Sequence, residues 1–264
     1  MRTLTYQYPV CMGFFHRSRQ TALPERYDEL SGEQFQAVVL LSKGWITEPL
    51  FFSRFFNIPL RLLPSIDSYV AYQLNTTLDF LRKLQPVNKM LIPSIPAIIN
   101  GRKTTLLPPE EKLAGMTFQQ FMTVDTFHSW YVYSEKVDYL HSFVAALYTD
   151  PSVPFSKMVL DSQVEGILSM ERNTRELFEA ISVNWMLVKM WLSDSYPQLF
   201  PSLTPNSTQS DQKPKKTKPS SWLPVFDALV DDDLTRVETY QTLQAIDVIR
   251  IINRKIADQK KKKK

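Results

Sequence analysis

The chain has 264 residues, of which 44% are hydrophobic and 22% are charged, and these ordinary globular values exclude wholesale disorder. Its 6 glycines are scattered, which excludes the clustered-glycine loops that bind dinucleotides and nucleoside phosphates. The net charge of +4 comes from lysines in residues 211–218 and at the C-terminus, a distribution that argues against a folded nucleic-acid-binding face.

The N-terminal twenty residues indicate an intracellular protein. They lack the apolar run and the cleavage site of a secretory signal. Cys11 is the single cysteine, so a reducing compartment is expected. No apolar run in the chain approaches the roughly 18 to 20 residues that a spanning helix needs. The sequence therefore predicts a cytoplasmic protein without a membrane partner.

A repeated hexapeptide marks two helix starts. "LSGEQF" at residues 30–35 returns as "MTFQQF" at residues 116–121. Ser31 with Gln34, and Thr117 with Gln120, fit the capping box, in which the hydroxyl and the amide side chain satisfy backbone N–H groups at a helix start. We therefore interpret the repeat as local helix-start chemistry and not as a duplication.

The first half of the chain predicts three helices and then a β-hairpin. The helices cover "GEQFQAVVLLSK", "TEPLFFSRFFN" and "SIDSYVAYQLNTTLDFLRKLQ", and the third carries Val70, Leu74, Leu78 and Leu81 at helical spacing. The hairpin covers about residues 89–107, with Asn100–Gly101 as its turn. This hairpin is the only β element that the sequence indicates.

The second half predicts three further helices within residues 117–196, with an unassigned region from about Pro154 to Met170 between the second and the third, and then a change of composition. Residues 201–220 are rich in Pro, Ser, Thr and Lys and indicate a flexible linker. Residues 221–259 form a C-terminal helical segment, with a long amphipathic helix from about Thr235 to Gln259. Residues 260–264, Lys260 to Lys264, are predicted to be a disordered lysine tail.

The predicted fold is mainly α: an irregular helical bundle with one small β-hairpin and a C-terminal amphipathic helix after the linker. Residues 1–200 are predicted to form one helical domain that contains the hairpin. A chain truncated near Ser202 is accordingly expected to keep its larger part folded.

Two Asp-x-x-His pairs are the candidate metal ligands. Asp125 with His128, and Asp138 with His141, have the i, i+3 spacing of helical di-metal sites. The alternative is that Asp125 and His141 lie partly buried and hydrogen-bonded while their companions face water. We favour that alternative, so the sequence assigns no catalytic residue, no metal ligand and no cofactor.

Four segments resemble proteins encoded among the structural and tail-assembly genes of tailed phages and prophages. The segments are "LPERYDELSGEQFQAVVLL", "LLPPEEKLAGMTFQQFMTVDTF", "DYLHSFVAALYTDP" and "FEAISVNWMLVKMWLSDSYPQLF", within about residues 23–200. The resemblance implies a non-enzymatic tail-assembly chaperone or virion accessory protein. It also implies a location in the host cytoplasm, with incorporation into the virion as a further option.

Apolar helical surfaces are the predicted binding sites for other phage structural or tail proteins, with a homo-oligomer as a second option. Two alternative functions remain open, a metal-dependent helical-bundle enzyme that uses both Asp-x-x-His pairs and weak nucleic-acid binding through Lys260 to Lys264. The residues predicted to bind the partner are Val248, Ile249, Ile252, Ile256, Trp185 and Trp191.

Overall fold

A computed structural model describes residues 2–10, 15–66, 68–200, 219, 221–230 and 236–262. The fold is mainly α, as predicted, with ten helices and two small antiparallel sheets among the described residues. The chain divides into two compact units, residues 1–87 and 88–264. This division falls inside the predicted 1–200 domain, and it places the C-terminal helices in the same unit as the predicted hairpin.

The first unit begins with a β-hairpin that the sequence did not indicate. Strands β1 (Arg2–Val10) and β2 (Phe15–Leu23) pair antiparallel, and the Thr21 hydroxyl donates to the carbonyl of Phe56 at 2.7 Å. The residues between the strands contain no Asn-Gly or Asp-Gly pair, the signal that revealed the other hairpin. The elements of this unit are β1 (Arg2–Val10), β2 (Phe15–Leu23), α1 (Gly32–Ser42), α2 (Glu48–Phe55) and α3 (Ser68–Thr76).

The predicted third helix is shorter than its apolar spacing suggests. Helix α3 ends at Thr76, and a separate 3₁₀ turn covers Asp79–Arg82. The hydroxyls of Thr76 and Thr77 donate to carbonyls one turn earlier, which satisfies acceptors at the helix end. Leu78 therefore lies beyond the helix that its spacing predicted.

The first capping box is complete. Ser31 accepts from the backbone N–H of Gln34 at 3.2 Å, and Gln34 Oε1 accepts from the N–H of Ser31 at 3.0 Å. The same glutamine also donates to the carbonyl of Phe55 at the end of α2, at 3.1 Å. The start of α1 is thus tied to the end of the next helix.

The second unit contains the predicted hairpin. Strand β3 (Ile95–Ile99) pairs with β4 (Arg102–Leu106), and Asn100 and Gly101 have φ values of 51° and 72°. Positive φ at both central residues is the type I′ geometry that the Asn-Gly pair predicted. The other helices of the unit before residue 200 are α4 (Phe118–Ser134), α5 (Val137–Leu147), α6 (Lys157–Leu168) and α7 (Arg175–Ser195).

Only half of the second capping box forms. Thr117 accepts from the N–H of Gln120 at 3.2 Å, as predicted. The Gln120 side chain instead donates to the buried carbonyl of Ala146 near the end of α5, at 2.9 Å. A buried carbonyl without a donor costs free energy, so this bond stabilises the end of α5 against the start of α4.

The C-terminal part contains α8 (Leu223–Val230), α9 (Val237–Thr242) and α10 (Ala245–Lys262). The single long helix predicted from about Thr235 is therefore wrong, because Leu243 and Gln244 separate α9 from α10. The N–H of Phe118 donates to the carbonyl of Leu243 at 2.9 Å, and the N–H of Ala245 donates to that of Met116 at 2.8 Å. These bonds form an isolated bridge between Thr117 and Gln244, and its extended backbone interrupts the helix.

The structure tests the prediction for the lysine tail in part, and it does not describe most of the predicted linker. Helix α10 includes Lys260 to Lys262, so the prediction of disorder from residue 260 is wrong for these three residues. Basic side chains in the last turn of a helix interact favourably with its dipole. Residues 263–264 lie outside the described residues, as do 201–218 and 220 of the predicted linker. Within the described part of the chain, no helix has the length and hydropathy needed to cross a bilayer.

Candidate functional site

Three polar side chains of α4 share one face, because they lie at i, i+3 and i+6: Asp125, His128 and Tyr131. All three are buried, and each contacts a polar residue of α7. The partners run in the opposite order along α7, so the two helices are antiparallel here. The contacts form three layers: Asp125 with Lys189, His128 with Ser182, and Tyr131 with Glu179.

The Asp125 layer joins α4, α7 and the chain before α8. Lys189 Nζ lies 2.8 Å from Asp125 Oδ1, and Trp222 Nε1 donates to Oδ2 at 2.8 Å. Burial alone would raise the pKa of Asp125, but the charge and hydrogen bond of Lys189 and the bond from Trp222 outweigh burial and lower it. The carboxylate is therefore ionised at neutral pH, with the Lys189 ammonium beside Oδ1 and the Trp222 N–H on Oδ2.

The His128 layer holds a neutral imidazole. Nε2 lies 3.2 Å from both the carbonyl and the hydroxyl of Ser182, and a carbonyl only accepts, so Nε2 carries the proton. Nδ1 is buried without a hydrogen-bond partner. Burial, together with the nearby Lys189 charge, lowers the pKa of His128 to about 4. A second proton would place an N–H on Nδ1 where no acceptor receives it.

The third layer is a short polar chain. The Tyr131 hydroxyl donates to Glu179, and Arg175 Nε lies 3.7 Å from Glu179 Oε1. Burial and the Glu179 carboxylate both raise the pKa of Tyr131, so the phenol stays protonated. The first and third layers therefore pair ionisable groups with one another, whereas His128 pairs with Ser182.

The second Asp-x-x-His pair does not join this cluster. Asp138 is exposed, and His141 is half-buried with its ring 5.6 Å from that of Phe178. The expectation that His128 would face water is wrong, since it is only 4% exposed. Among the described residues, no group of three or more His, Cys, Asp or Glu side chains is placed to hold a metal ion. A metal at Asp125 and His128 would also lie next to the Lys189 ammonium.

Most of the predicted partner-binding residues are core residues of their own unit. Val248, Ile249 and Ile252 of α10 are buried, and α10 packs on α4. Because their apolar surface is already covered inside the chain, they are not a free binding surface. Trp185 is also fully buried, whereas Ile256 and Trp191 are half-buried.

Sequence reasoning missed Trp222, which lies in the predicted C-terminal segment. Its ring contacts those of Phe118, Phe121 and Phe200, with centroids 6.1, 5.3 and 5.9 Å away. The nearest sequence signal is that Trp222 immediately precedes an apolar helical pattern, but nothing in the sequence identifies Asp125 as its acceptor. Trp222 thus connects the C-terminal segment to the polar layers.

An open apolar groove lies between α8 and α10, with a volume of about 270 Å³. We call it the α8–α10 groove. Ile252 is buried and Ile256 is half-buried in α10, so two predicted partner-binding residues do line a surface depression. The lining residues are Pro224, Val225, Leu229, Ile252, Lys255, Ile256 and Gln259.

A second apolar groove, of about 290 Å³, lies in the first unit between α2 and α3. We call it the α2–α3 groove. Phe52 and Ile66 are half-buried in it, and Glu48 is at the start of α2. It provides a comparison surface of similar chemistry and size.

Comparison of the chain with protein-family models, with curated proteins and with solved structures finds no match.

Proposed function

We propose that this protein is a non-enzymatic assembly protein that binds an amphipathic helix of another phage structural or tail protein in the α8–α10 groove. The groove itself carries the proposal. Its α10 wall runs from Ile252 to Gln259, which is about two helical turns or roughly 10 Å. A partner helix would place apolar side chains at i, i+3 or i+4, and i+7 along that length.

The chemistry of the groove suits a protein partner. Its apolar residues come from both helices, and Lys255 and Gln259 contribute the polar groups. Recognition surfaces of this kind gain free energy from burying apolar anchors and orientation from a polar rim. The Lys255 ammonium would form an ion pair with an acidic residue of the partner at the rim.

The polar layers support a structural role for the buried ionisable groups. General acid–base catalysis requires a group within reach of a substrate proton. Asp125 and His128 are 8% and 4% exposed, and their polar partners belong to the same chain. We therefore assign these layers to the stability and alignment of α4 and α7.

The phage context comes from the resemblance of the four segments. A tail-assembly chaperone or virion accessory protein acts by binding, and it would meet its partner in the host cytoplasm before or during virion assembly. This context supplies the source from which a partner should be isolated.

Groove substitutions test the proposal. We expect Ile256→Glu to abolish co-purification of a phage structural protein from the native source, identified by mass spectrometry, because a charge would enter the apolar wall. Leu168→Glu is the matched control, since Leu168 is 47% exposed on α6 outside the groove. Retained binding by Ile256→Glu, or loss of binding only with Ile66→Glu in the α2–α3 groove, would contradict the proposal.

Elemental analysis separates this proposal from the metal-dependent alternative. We expect purified protein to contain no stoichiometric iron, manganese or zinc. One equivalent of such a metal, lost on Asp125→Asn and on His128→Gln, would instead support the enzyme.

A further inference from the structure

The outer edge of β3 in the Asn-Gly hairpin is covered by the chain itself. Helix α6 packs along this strand, and the Asn173 side-chain amide donates to the carbonyl of Pro96 at 2.7 Å. The carbonyl oxygen of Ile98 faces Gly166 so closely that a Cβ there would lie 2.5 Å away. A strand edge that is covered in this way cannot pair with a further strand.

The backbone groups of the other strand, β4, alternate between its two sides. Ile99 and Arg102 close the two-residue turn, so they form a hydrogen-bonded pair. The alternation repeats every second residue, and Arg102, Thr104 and Leu106 therefore direct their N–H and carbonyl groups toward β3. The residues in between direct the same groups outward, away from β3.

These outward groups are paired only at the end of β4. The N–H and the carbonyl of Leu107 both bond to Thr149, each at 2.9 Å, in an antiparallel bridge. Thr149 thus occupies the first position of a third strand. Further along the same side lie the N–H and carbonyl groups of Lys103 and Thr105, and no described residue forms a hydrogen bond with them. We call this outer side of Lys103 and Thr105 the open β4 edge.

The side chains of the open β4 edge are basic. Arg102 and Lys103 are exposed, and neither forms an ion pair within the described part of the chain. Pairing with the same edge of a second copy would place two Lys103 side chains opposite or diagonal to each other, where like charges are unfavourable. A carboxylate opposite Lys103 would be favourable instead. The charge therefore favours an acidic strand over a second copy.

The hairpin holds this edge in a fixed position. Ile95, Ala97 and Leu106 share one face of the hairpin and are fully buried. A strand edge that is already ordered pays little entropy when a further strand is added.

We propose that the open β4 edge binds an extended acidic segment of another protein as a third strand. The segment runs antiparallel to β4, in line with Thr149, and two of its residues at i and i+2 exchange four hydrogen bonds with Thr105 and Lys103. A Glu or Asp of the segment lies opposite Lys103. This binding surface shares no residue with the α8–α10 groove, so each proposal is tested separately.

A short peptide tests the backbone pairing on the full-length protein. The probe is acetyl-Thr-Val-Thr-Glu-Glu-Thr-amide, whose valine would lie opposite Thr105 and whose first glutamate would lie opposite Lys103. It is added up to about 10 mM, above the roughly millimolar Kd that four backbone hydrogen bonds to a short peptide would give. The control peptide carries N-methyl groups on its two central residues, so that one methyl group faces β4 in either register.

Hydrogen exchange of single amides, followed by NMR, is the measurement. Without peptide, we expect the amides of Lys103 and Thr105 to exchange rapidly and those of Thr104 and Leu106 to be protected by their bonds to β3. The glutamate peptide should slow exchange of the Lys103 and Thr105 amides at least about fivefold. The N-methylated peptide should have no such effect.

Charge reversal tests the acidic preference. A peptide with lysines in place of both glutamates should bind at least about threefold more weakly. Lys103→Glu should reverse the order of the two peptides. Lys136→Glu, at the exposed start of α5, is the matched control and should leave the order unchanged. Ile256→Glu should also leave peptide binding unchanged, which separates this surface from the groove.

Three results would overturn the proposal. In the first, the glutamate peptide gives no protection, or the N-methylated peptide protects the two amides equally. In the second, the glutamate and lysine peptides bind with equal affinity. In the third, the amides of Lys103 and Thr105 are already protected without peptide, which would show that the chain itself covers the edge or, if protection rises with protein concentration, that a second copy does.

Discussion

His128 shows how a single buried side chain makes stability depend on pH. Its pKa is about 4 in the folded protein and about 6.5 when unfolded, so the unfolded chain takes up a proton first as the pH falls. Stability from this residue is therefore present above pH 6.5 and is lost as the pH falls toward 4. Lys189 and Asp125 are the charged groups beside it, and Asp125 titrates only at lower pH because its own pKa is lowered.

We expect the free energy of unfolding to fall by about 2 kcal/mol between pH 7 and pH 5 because of His128. His128→Phe keeps the aromatic contact with Phe143 but cannot take up a proton, so this part of the pH dependence should disappear. Urea unfolding of both proteins at several pH values measures the pH dependence of the free energy of unfolding. His141→Phe is the control, because His141 is only half-buried, and an equal effect of the two variants would contradict the assignment.

Asp125→Asn tests the first polar layer. The variant leaves the Lys189 ammonium without its counter-charge in a mostly buried site, and we expect a loss of about 2–4 kcal/mol in stability. Asp138→Asn, on the exposed face of α5, should change stability by less than about 0.5 kcal/mol. Chemical denaturation followed by tryptophan fluorescence compares them, and similar losses would show that the ion pair contributes little.

The polar layers also show what the sequence can and cannot predict about single residues. The i, i+3 spacing allows Asp125 and His128 to share one helix face, but the favoured expectation placed His128 in water, which is wrong. The identity of their partners could not be predicted, because Lys189 and Trp222 come from distant parts of the chain. Periodicity identifies which residues share a face, and only the packing of helices decides what that face meets.

At the scale of elements, the repeated hexapeptide has a second role that its local chemistry did not reveal. Gln34 and Gln120 each donate to a carbonyl near the end of the following helix. Capping rules predicted both helix starts because those rules depend on neighbouring residues. The hydrogen bond to the following helix depends on how the two helices pack against each other, so the six residues alone could not predict it.

The contact between α6 and β3 gives an element-scale prediction with a definite sign. A Cβ on Gly166 would lie 2.5 Å from the carbonyl oxygen of Ile98. Helix propensity alone favours alanine by about 1 kcal/mol, but the clash should reverse this and destabilise Gly166→Ala by about 1–3 kcal/mol. Thermal unfolding measures the change.

Glu165→Ala is the matched control on the exposed face of the same helix, and it should have almost no effect. A stabilised Gly166→Ala protein would show that α6 can move away from the strand at little cost.

For the whole molecule, composition and periodicity predicted a mainly α fold, most helices and the Asn-Gly hairpin. The sequence did not show that most of the α10 stripe packs on its own chain, because an apolar stripe looks the same whether another chain or its own chain covers it. The N-terminal hairpin was missed because residues 11–14, between its strands, contain no strong turn-forming sequence.

The burial of α10 changes the expectation for a shortened chain. Truncation near Ser202 removes Trp222 and the apolar stripe of α10. Each large apolar side chain in this set contributes about 1.5–3 kcal/mol to the free energy of unfolding when it is buried. Their sum rivals the stability of a typical domain, so residues 88–202 should lose cooperative melting. This reverses the expectation from the sequence.

Calorimetry of the chain truncated at Ser202, with hydrogen exchange of α4 as a local probe, tests this expectation. A chain ending at Lys262 is the control and should melt like the full protein. Undiminished protection of α4 in the chain truncated at Ser202 would show that the C-terminal helices are dispensable for folding.

The crossing of Met116–Phe118 with Leu243–Ala245 has a consequence for how the molecule forms. The first backbone amide of α4 and the first of α10 each use the other strand's carbonyl, so neither helix start is complete alone. The two starts are separated by more than 120 residues, and contacts of such high sequence separation close late during folding. During synthesis on a ribosome, the first amide of α4 would therefore lack its protein acceptor until the last part of the chain has been made.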